Sequence, residues 1–252
     1  MRLTILGSGT LIPVINRSNP GYLLDIGNET VLLDGGSGTL RQIARANRSI
    51  WEISRVFYSH FHIDHTSELM PLLFAYKYSI PDSLKSPEII IHAHRDFSKY
   101  YNKLTELFED WITNENHLYR FQKIEIGSTN FQKYKLTAYP TVHTPQSLIY
   151  RFEDEEGKVF VYTGDTDYCK ELIEASLNVD LLLIECSFPG TIDVEGHMIP
   201  EKITKLLIDA KPKQVLLTHI YPMNDDGTLL ERVNCPSGIK ISVAEDLQVI
   251  EI

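Results

Sequence analysis

The chain has 252 residues, 43% of them hydrophobic, and a formal net charge of −10. That length suits one large layered domain, residues 1–252, with a sizeable core, and the negative charge repels a polyphosphate backbone, which counts against a dedicated nucleic-acid binder. Cys169, Cys186 and Cys235 are an odd, widely spaced set with no CxxC pair, so reduced thiols in a cytoplasmic protein are expected. Met1 is followed by a strand pattern rather than an apolar signal core. No apolar run approaches the roughly twenty residues of a membrane helix, so no membrane partner is expected.

Leu3 to Leu6 reads as a strand running into the glycine turn Gly7-Ser8-Gly9. Ile12 stands where a dinucleotide loop needs its third glycine, so this is not a nucleotide fingerprint. Gly21–Ile26 and Thr30–Asp34 read as a hairpin around Gly27-Asn28-Glu29. Asp34 ends its strand beside Gly35 and Gly36, where it could orient a ligand from behind or cap a helix over Thr39–Asn47.

The densest signal follows the apolar run Ile53 to Tyr58: His60, His62, Asp64 and His65 fall within six residues. If the strand runs on through His62, the histidines at 60 and 62 share one face and chelate together. Asp64 and His65 then follow in a turn, and the spacing suggests two metals rather than one. Thr66 or Ser67 can cap a helix carrying Leu69, Leu72, Leu73 and Tyr76, whose N-terminus would add positive potential at the cluster. Glu88–His94 is a buried strand ending in a second His-x-His pair. Arg95 beside it would repel a cation, so His92 and His94 are read as structural or substrate-facing.

Asp96 to Tyr119 reads as helical, with many aromatics. Phe131–Tyr139 alternates as a strand with one wet face. His143 lies in a turn between strands. Lys158–Tyr162 leads to Gly164-Asp165, Val179–Cys186 passes through Glu185, and Gln214–Thr218 ends at His219. His197 precedes an amphipathic helix over Pro200–Ala210. Ile239–Val243 and Leu247–Ile252 read as a closing hairpin. Strands and helices alternate in two similar halves, which predicts an α/β fold of two sheets packed face to face with helices outside.

Strand-end residues gather at one sheet edge, so His60, His62, Asp64, His65, His143, Asp165 and His219 can converge. Seven ligands with one shared carboxylate suit two borderline metals. With its complete HxHxDH signature the chain resembles the metallo-β-lactamase superfamily, whose fold is a four-layer αββα sandwich of two mixed β-sheets. Within it the chain is similar to the ribonuclease Z group: Leu6-Gly7-Ser8-Gly9, Asp34-Gly35-Gly36, Gly164-Asp165-Thr166 and Thr218-His219 match its pattern. The resemblance implies one metal on His60, His62 and His143, another on Asp64, His65 and His219, and Asp165 bridging. It also implies a catalytic pair from Glu185 and His197, although Ile184 replaces the histidine that precedes this glutamate in the group.

The resemblance implies a dinuclear hydrolase, with zinc expected and manganese or iron as alternatives, that uses a metal-bridging hydroxide on a phosphodiester. Asp64 would orient the nucleophile and His197 would protonate the leaving group. Bacterial ribonuclease Z chains insert a long arm between the positions of His143 and Gly164, where this chain has only twenty residues. A small phosphodiester or nucleotide is therefore favoured over RNA. The alternatives are a tRNA 3′-end endonuclease, or a lactone, thioester or β-lactam hydrolase of the same fold. A homodimer is compatible with the resemblance.

Overall fold

The computed structural model describes residues 1–78, 88–113 and 118–252. Along the chain run β1 (Arg2–Gly7), β2 (Gly21–Ile26), β3 (Glu29–Leu33), β4 (Ile53–Phe57), β5 (Ile89–His94), β6 (Tyr119–Ile124) and β7 (Gly127–Asn130). Then follow β8 (Tyr134–Pro140), β9 (Leu148–Asp154), β10 (Val159–Tyr162), β11 (Leu181–Glu185), β12 (Gln214–Thr218), β13 (Lys240–Val243) and β14 (Val249–Glu251). The helices are α1 (Thr39–Arg45), α2 (Ile63–Thr66), α3 (Leu69–Tyr78), α4 (Phe97–Phe108), α5 (Lys170–Ser176) and α6 (Pro200–Ala210).

The first sheet has the order β14-β1-β2-β3-β4-β5-β6 and the second β13-β12-β11-β10-β9-β8-β7. Each is mixed. The first is antiparallel as far as β3 and parallel from β3 to β6. The second is parallel from β13 to β10 and antiparallel beyond. The continuous apolar strands β10 and β11 are buried along their whole length, as strands covered on both faces must be. β8 keeps the expected alternation.

Between the sheets lies a core in which Phe57 meets Tyr150 and Phe152 edge-on, with centroids 5.4 and 5.7 Å away. A second core joins β11 and β12 to α5 and α6, and a third joins the first sheet to α1, α3 and α4. The four layers are those expected. Among the described residues no helix is long and apolar enough to cross a membrane.

Four local expectations change. The closing strands are no hairpin: β13 lies parallel to β12 in one sheet and β14 antiparallel to β1 in the other. Asp246, between them, accepts hydrogen bonds from Ser8 and Ser18 amides and the Gln42 side chain, which holds the crossing in place. The helical stretch from Asp96 ends at Phe108 with a 3-10 turn to Ile112, and Tyr119 opens β6. β4 stops at Phe57, so His60 and His62 lie in a loop. Finally, Asp64 and His65 sit inside the four-residue α2, and the longer α3 starts only at Leu69.

Candidate active site

The seven proposed ligands reach one edge of the sandwich from separate strand ends. His60 and His62 follow β4, Asp64 and His65 lie in α2, His143 follows β8, Asp165 follows β10, and His219 follows β12. The chain's central strands present their C-terminal ends there, the usual place for a site in an open α/β sheet. His60, His62, His143 and Asp165 bring one ligand atom each within 4.8 Å of one another, and Asp64, His65 and His219 form a second such group. Asp165 joins them. Its Oδ2 is 3.8 Å from His60 Nε2, 3.7 Å from His143 Nε2 and 3.6 Å from His219 Nε2, while its Oδ1 is 3.3 Å from His65 Nε2.

A hydrogen-bonded layer behind the imidazoles fixes which nitrogen faces inward. Asp34 accepts from the Ser59 amide and from His65 Nδ1, both at 2.7 Å, and from the Ser59 and Tyr162 hydroxyls. The Ser59 hydroxyl, whose hydrogen points to Asp34, accepts from His60 Nδ1 at 3.0 Å. His143 Nδ1 donates to the Gly196 carbonyl at 3.0 Å. Ser187 donates to Glu185 and accepts from His219 Nδ1 at 2.9 Å. In each case Nδ1 is held from behind and Nε2 is turned toward the cluster, the orientation that metal ligation uses.

His60 Nε2, His65 Nε2 and Asp165 Oδ1 are buried and have no hydrogen-bond partner. Three such atoms aimed at one place are costly unless a cation takes their lone pairs. The donor set of imidazole nitrogens and carboxylate oxygens also suits borderline divalent ions. The residues fit the metals that the HxHxDH pattern implies.

The backbone is bent to make this fit. Asp34 and His219 both hold positive φ, 53° and 54°, a conformation that costs a residue with a side chain on the order of 1–3 kcal/mol. Gly36 allows the HxHxDH loop to close down, since a Cβ there would lie 1.8 Å from the Asp64 carbonyl oxygen. Gly164, with φ 56°, gives way in the same manner to Ser59.

Electrostatics divide the cluster. Burial holds the His60 and His143 imidazoles below their ordinary range, so both are neutral and able to ligate. Burial works against ionisation of Asp64, yet the hydrogen bond from His219 and the charge of His65 bring its carboxyl down to about 2. His197 behaves oppositely. Burial opposes its charge, but the Glu185 carboxylate, with both oxygens 3.0 Å from Nδ1, lifts it to about 9. Glu185 itself is buried and also accepts from the Thr166 amide at 2.7 Å.

Glu185 and His197 are thus in contact, and His197 lies 4.8 Å from the His143 ring, centroid to centroid. Asp34 is a support for His65 and Ser59, and α1 has no side-chain cap. The second His-x-His pair stays away from the cluster. His92 is buried, stacked on Phe57 at 4.3 Å and 3.1 Å from Arg55 Nη1, while His94 pairs with Asp96.

Sequence reasoning missed the supports. Ser59, Tyr162 and Ser187 are common residue types with no signal until their partners are known. Asp167 and Lys202 form an ion pair of 2.7 Å, Asp167 accepts from the Gly196 amide, and Lys202 reaches the His197 carbonyl. Together they staple the loop that carries His197. The one available hint was the Asp-Thr-Asp run after Gly164.

Fold and site together define a metal-dependent hydrolase of the metallo-β-lactamase superfamily, in its ribonuclease Z-like branch. Its sequence is 24% identical to the ribonuclease Z of Methanosarcina mazei, over all of this chain and 98% of that one. That alignment runs to 319 positions, so the relative carries stretches with no counterpart among these 252 residues. Bacillus subtilis YhfI, a metallo-β-lactamase-fold protein, is 27% identical over 87% of both chains, and its crystal structure superposes with a TM-score of 0.85 over 99% of both. The human short-form tRNase Z superposes at 0.77, with 20% identity, over 100% of this chain and 99% of that one. The chain belongs to the family described as Anti-Pycsar protein Apyc1, whose profile matches residues 1–228.

Proposed function

We propose that this chain is a phosphodiesterase that works with two zinc ions on a small phosphodiester or nucleotide. The observation that carries the reading is the meeting of two ligand groups at Asp165, with unpartnered nitrogens and a carboxylate oxygen facing inward. His60, His62 and His143 would hold one ion, Asp64, His65 and His219 the other, and Asp165 both. Bound there, two divalent cations would acidify a water and stabilise charge building on the phosphoryl oxygens.

The chain's own groups supply orientation and protons. Asp64, anionic at neutral pH and 3.3 Å from His219 Nε2, would accept a hydrogen bond from the attacking water. His197, charged through its contact with Glu185, would donate a proton to the departing alkoxide. The Asp167–Lys202 staple keeps that donor aimed at the cluster.

Several close relatives in sequence are named ribonuclease Z, which favours tRNA 3′-end cleavage as the second reading. Against it, β9 and β10 are joined by a tight turn at Asp154–Gly157 that leaves no arm for a long RNA. Metal analysis coupled to assays of bis(p-nitrophenyl) phosphate, cyclic nucleotides, dinucleotides and precursor tRNA tests both. Zinc near two per chain with turnover of the small diesters is expected. Activity that persists in a chelated, metal-free sample, or turnover of precursor tRNA alone, would sink the proposal.

A further inference from the structure

Three donors crowd one oxygen of Asp34. Its Oδ1 accepts the Ser59 amide alone, whereas Oδ2 accepts His65 Nδ1, the Ser59 hydroxyl and the Tyr162 hydroxyl together. Tyr162 ends β10, is 2% exposed and packs in the core between the sheets against Tyr22, with centroids 5.0 Å apart. Phe160, two residues earlier on the same face of the strand, fills that core with no hydroxyl at all. A phenylalanine at 162 would therefore satisfy the packing and spare the protein the desolvation of a buried polar group. What the hydroxyl adds is its bond to Asp34.

The imidazole in front of Asp34 is held differently from its neighbours. His60 and His219 each give Nδ1 to a serine hydroxyl and His143 gives it to a backbone carbonyl, all of them neutral acceptors. Of these four histidines His65 alone meets a carboxylate directly, at 2.7 Å. A carboxylate pulling on Nδ1–H raises the basicity of the opposite nitrogen, so His65 Nε2 would be the strongest donor of the set. Each further hydrogen bond to the same carboxylate oxygen spreads its charge and weakens that pull. Tyr162 therefore works against the effect of Asp34 at the one imidazole that feels it.

We propose that Tyr162 is a positioning residue that acts through Asp34 to moderate the donor strength of His65, and so sets how tightly an ion at Asp64, His65 and His219 is held. The inference rests on the two-metal phosphodiesterase reading for that ion and adds a residue that regulates it. A cation gripped less firmly by its ligands polarises more strongly whatever else it binds. The Tyr162 hydroxyl thus exchanges some affinity for Lewis acidity.

The test is Tyr162→Phe, which removes the hydroxyl and leaves Asp34 its other three donors. Stepwise competition with a chromophoric chelator gives the affinity of each zinc, and NMR follows the His65 Nδ1 proton in the zinc-loaded protein. One zinc should bind about three- to tenfold more tightly, a fraction of the roughly 10–100-fold change that follows loss of a whole supporting partner. The Nδ1 proton should move downfield as its bond to Asp34 strengthens. With 3-fluorotyrosine at 162, whose more acidic hydroxyl donates more strongly, both readouts should shift the other way. A hydroxyl that merely props Asp34 in place predicts weaker zinc binding and an upfield proton in Tyr162→Phe. That result, or zinc affinity and proton position both unchanged in the phenylalanine variant, overturns the proposal. Neither readout needs turnover, so a protein that shows both shifts but hydrolyses no phosphodiester would keep this role for Tyr162 and lose the phosphodiesterase reading instead.

Discussion

At the scale of single residues, Asp34 supports the site from behind, a role with little to show in the sequence. It is buried, and four donors from Ser59, His65 and Tyr162 converge on its two oxygens. Asp34→Ala strands those donors, and each charged hydrogen bond is worth about 1.5–3 kcal/mol. We expect a loss of at least ~3 kcal/mol in urea unfolding and a drop in zinc affinity of about 10–100-fold. An Asp34→Ala protein with wild-type zinc affinity would mean that His65 needs no support. His197→Ala should instead leave zinc content intact and lower kcat by about 10²–10⁴-fold. Since the Glu185 contact raises the His197 pKa, its protonated form persists through neutral pH and is lost as pH rises. The rate should therefore fall on an alkaline limb at or below pH 9, and a limb that survives in His197→Ala must belong to another group. These residue roles were unevenly legible. His60, His62, Asp64 and His65 announce themselves by density, whereas Glu185 and His197 stand out only through the resemblance to the ribonuclease Z group. Ser59, Ser187 and Tyr162 act through partners up to 128 positions away, which no local pattern records.

At the scale of elements, the site is assembled by loops whose shape depends on a few close approaches. Gly36 lets α2 settle against the turn after β3, and Gly36→Ala should push the Asp64 backbone away. The expected result is loss of zinc from the group of Asp64, His65 and His219, read as a fall in zinc per chain. Full occupancy would show that the loop yields without cost. The loop that bears His197 depends on Lys202, which binds Asp167, Asp193 and the His197 carbonyl. Lys202→Met should lower kcat by about tenfold with metal content unchanged, a magnitude set by imprecise aim rather than lost chemistry. Strand boundaries from apolar runs and α6 from its amphipathic spacing were readable in the sequence. Pairing was not. Val243 and Val249 are near neighbours in sequence yet belong to opposite sheets, because each strand answers to the free edge of a distant partner, β12 or β1. Likewise His60 and His62 come together without the strand extension that their spacing suggested, since the loop after β4 is shaped by Asp34 rather than by a ladder.

At the scale of the whole molecule, the second His-x-His pair becomes a matter of stability. Burial, and then the nearby charges of Arg55 and Arg120, push the His92 imidazole down to about 3. An unfolded histidine titrates near 6.5, so between those values the unfolded chain binds a proton that the folded chain refuses. The stabilisation is whole above about pH 6.5 and drains as pH falls toward 3, by up to about 1.4 kcal/mol per pH unit. In metal-free protein, His92→Leu should narrow the gap between urea midpoints at pH 7 and pH 4.5. An equal gap in both proteins would assign the acid sensitivity elsewhere. The sheet pairing carries a further consequence, for synthesis rather than for the finished fold. β1 emerges from the ribosome almost a whole chain length before β14, the strand that covers its outer edge. At about 5–20 residues per second, that edge stays uncovered for on the order of tens of seconds. The nascent chain must pass this interval with an open row of backbone donors and acceptors, so aggregation during translation should begin at β1.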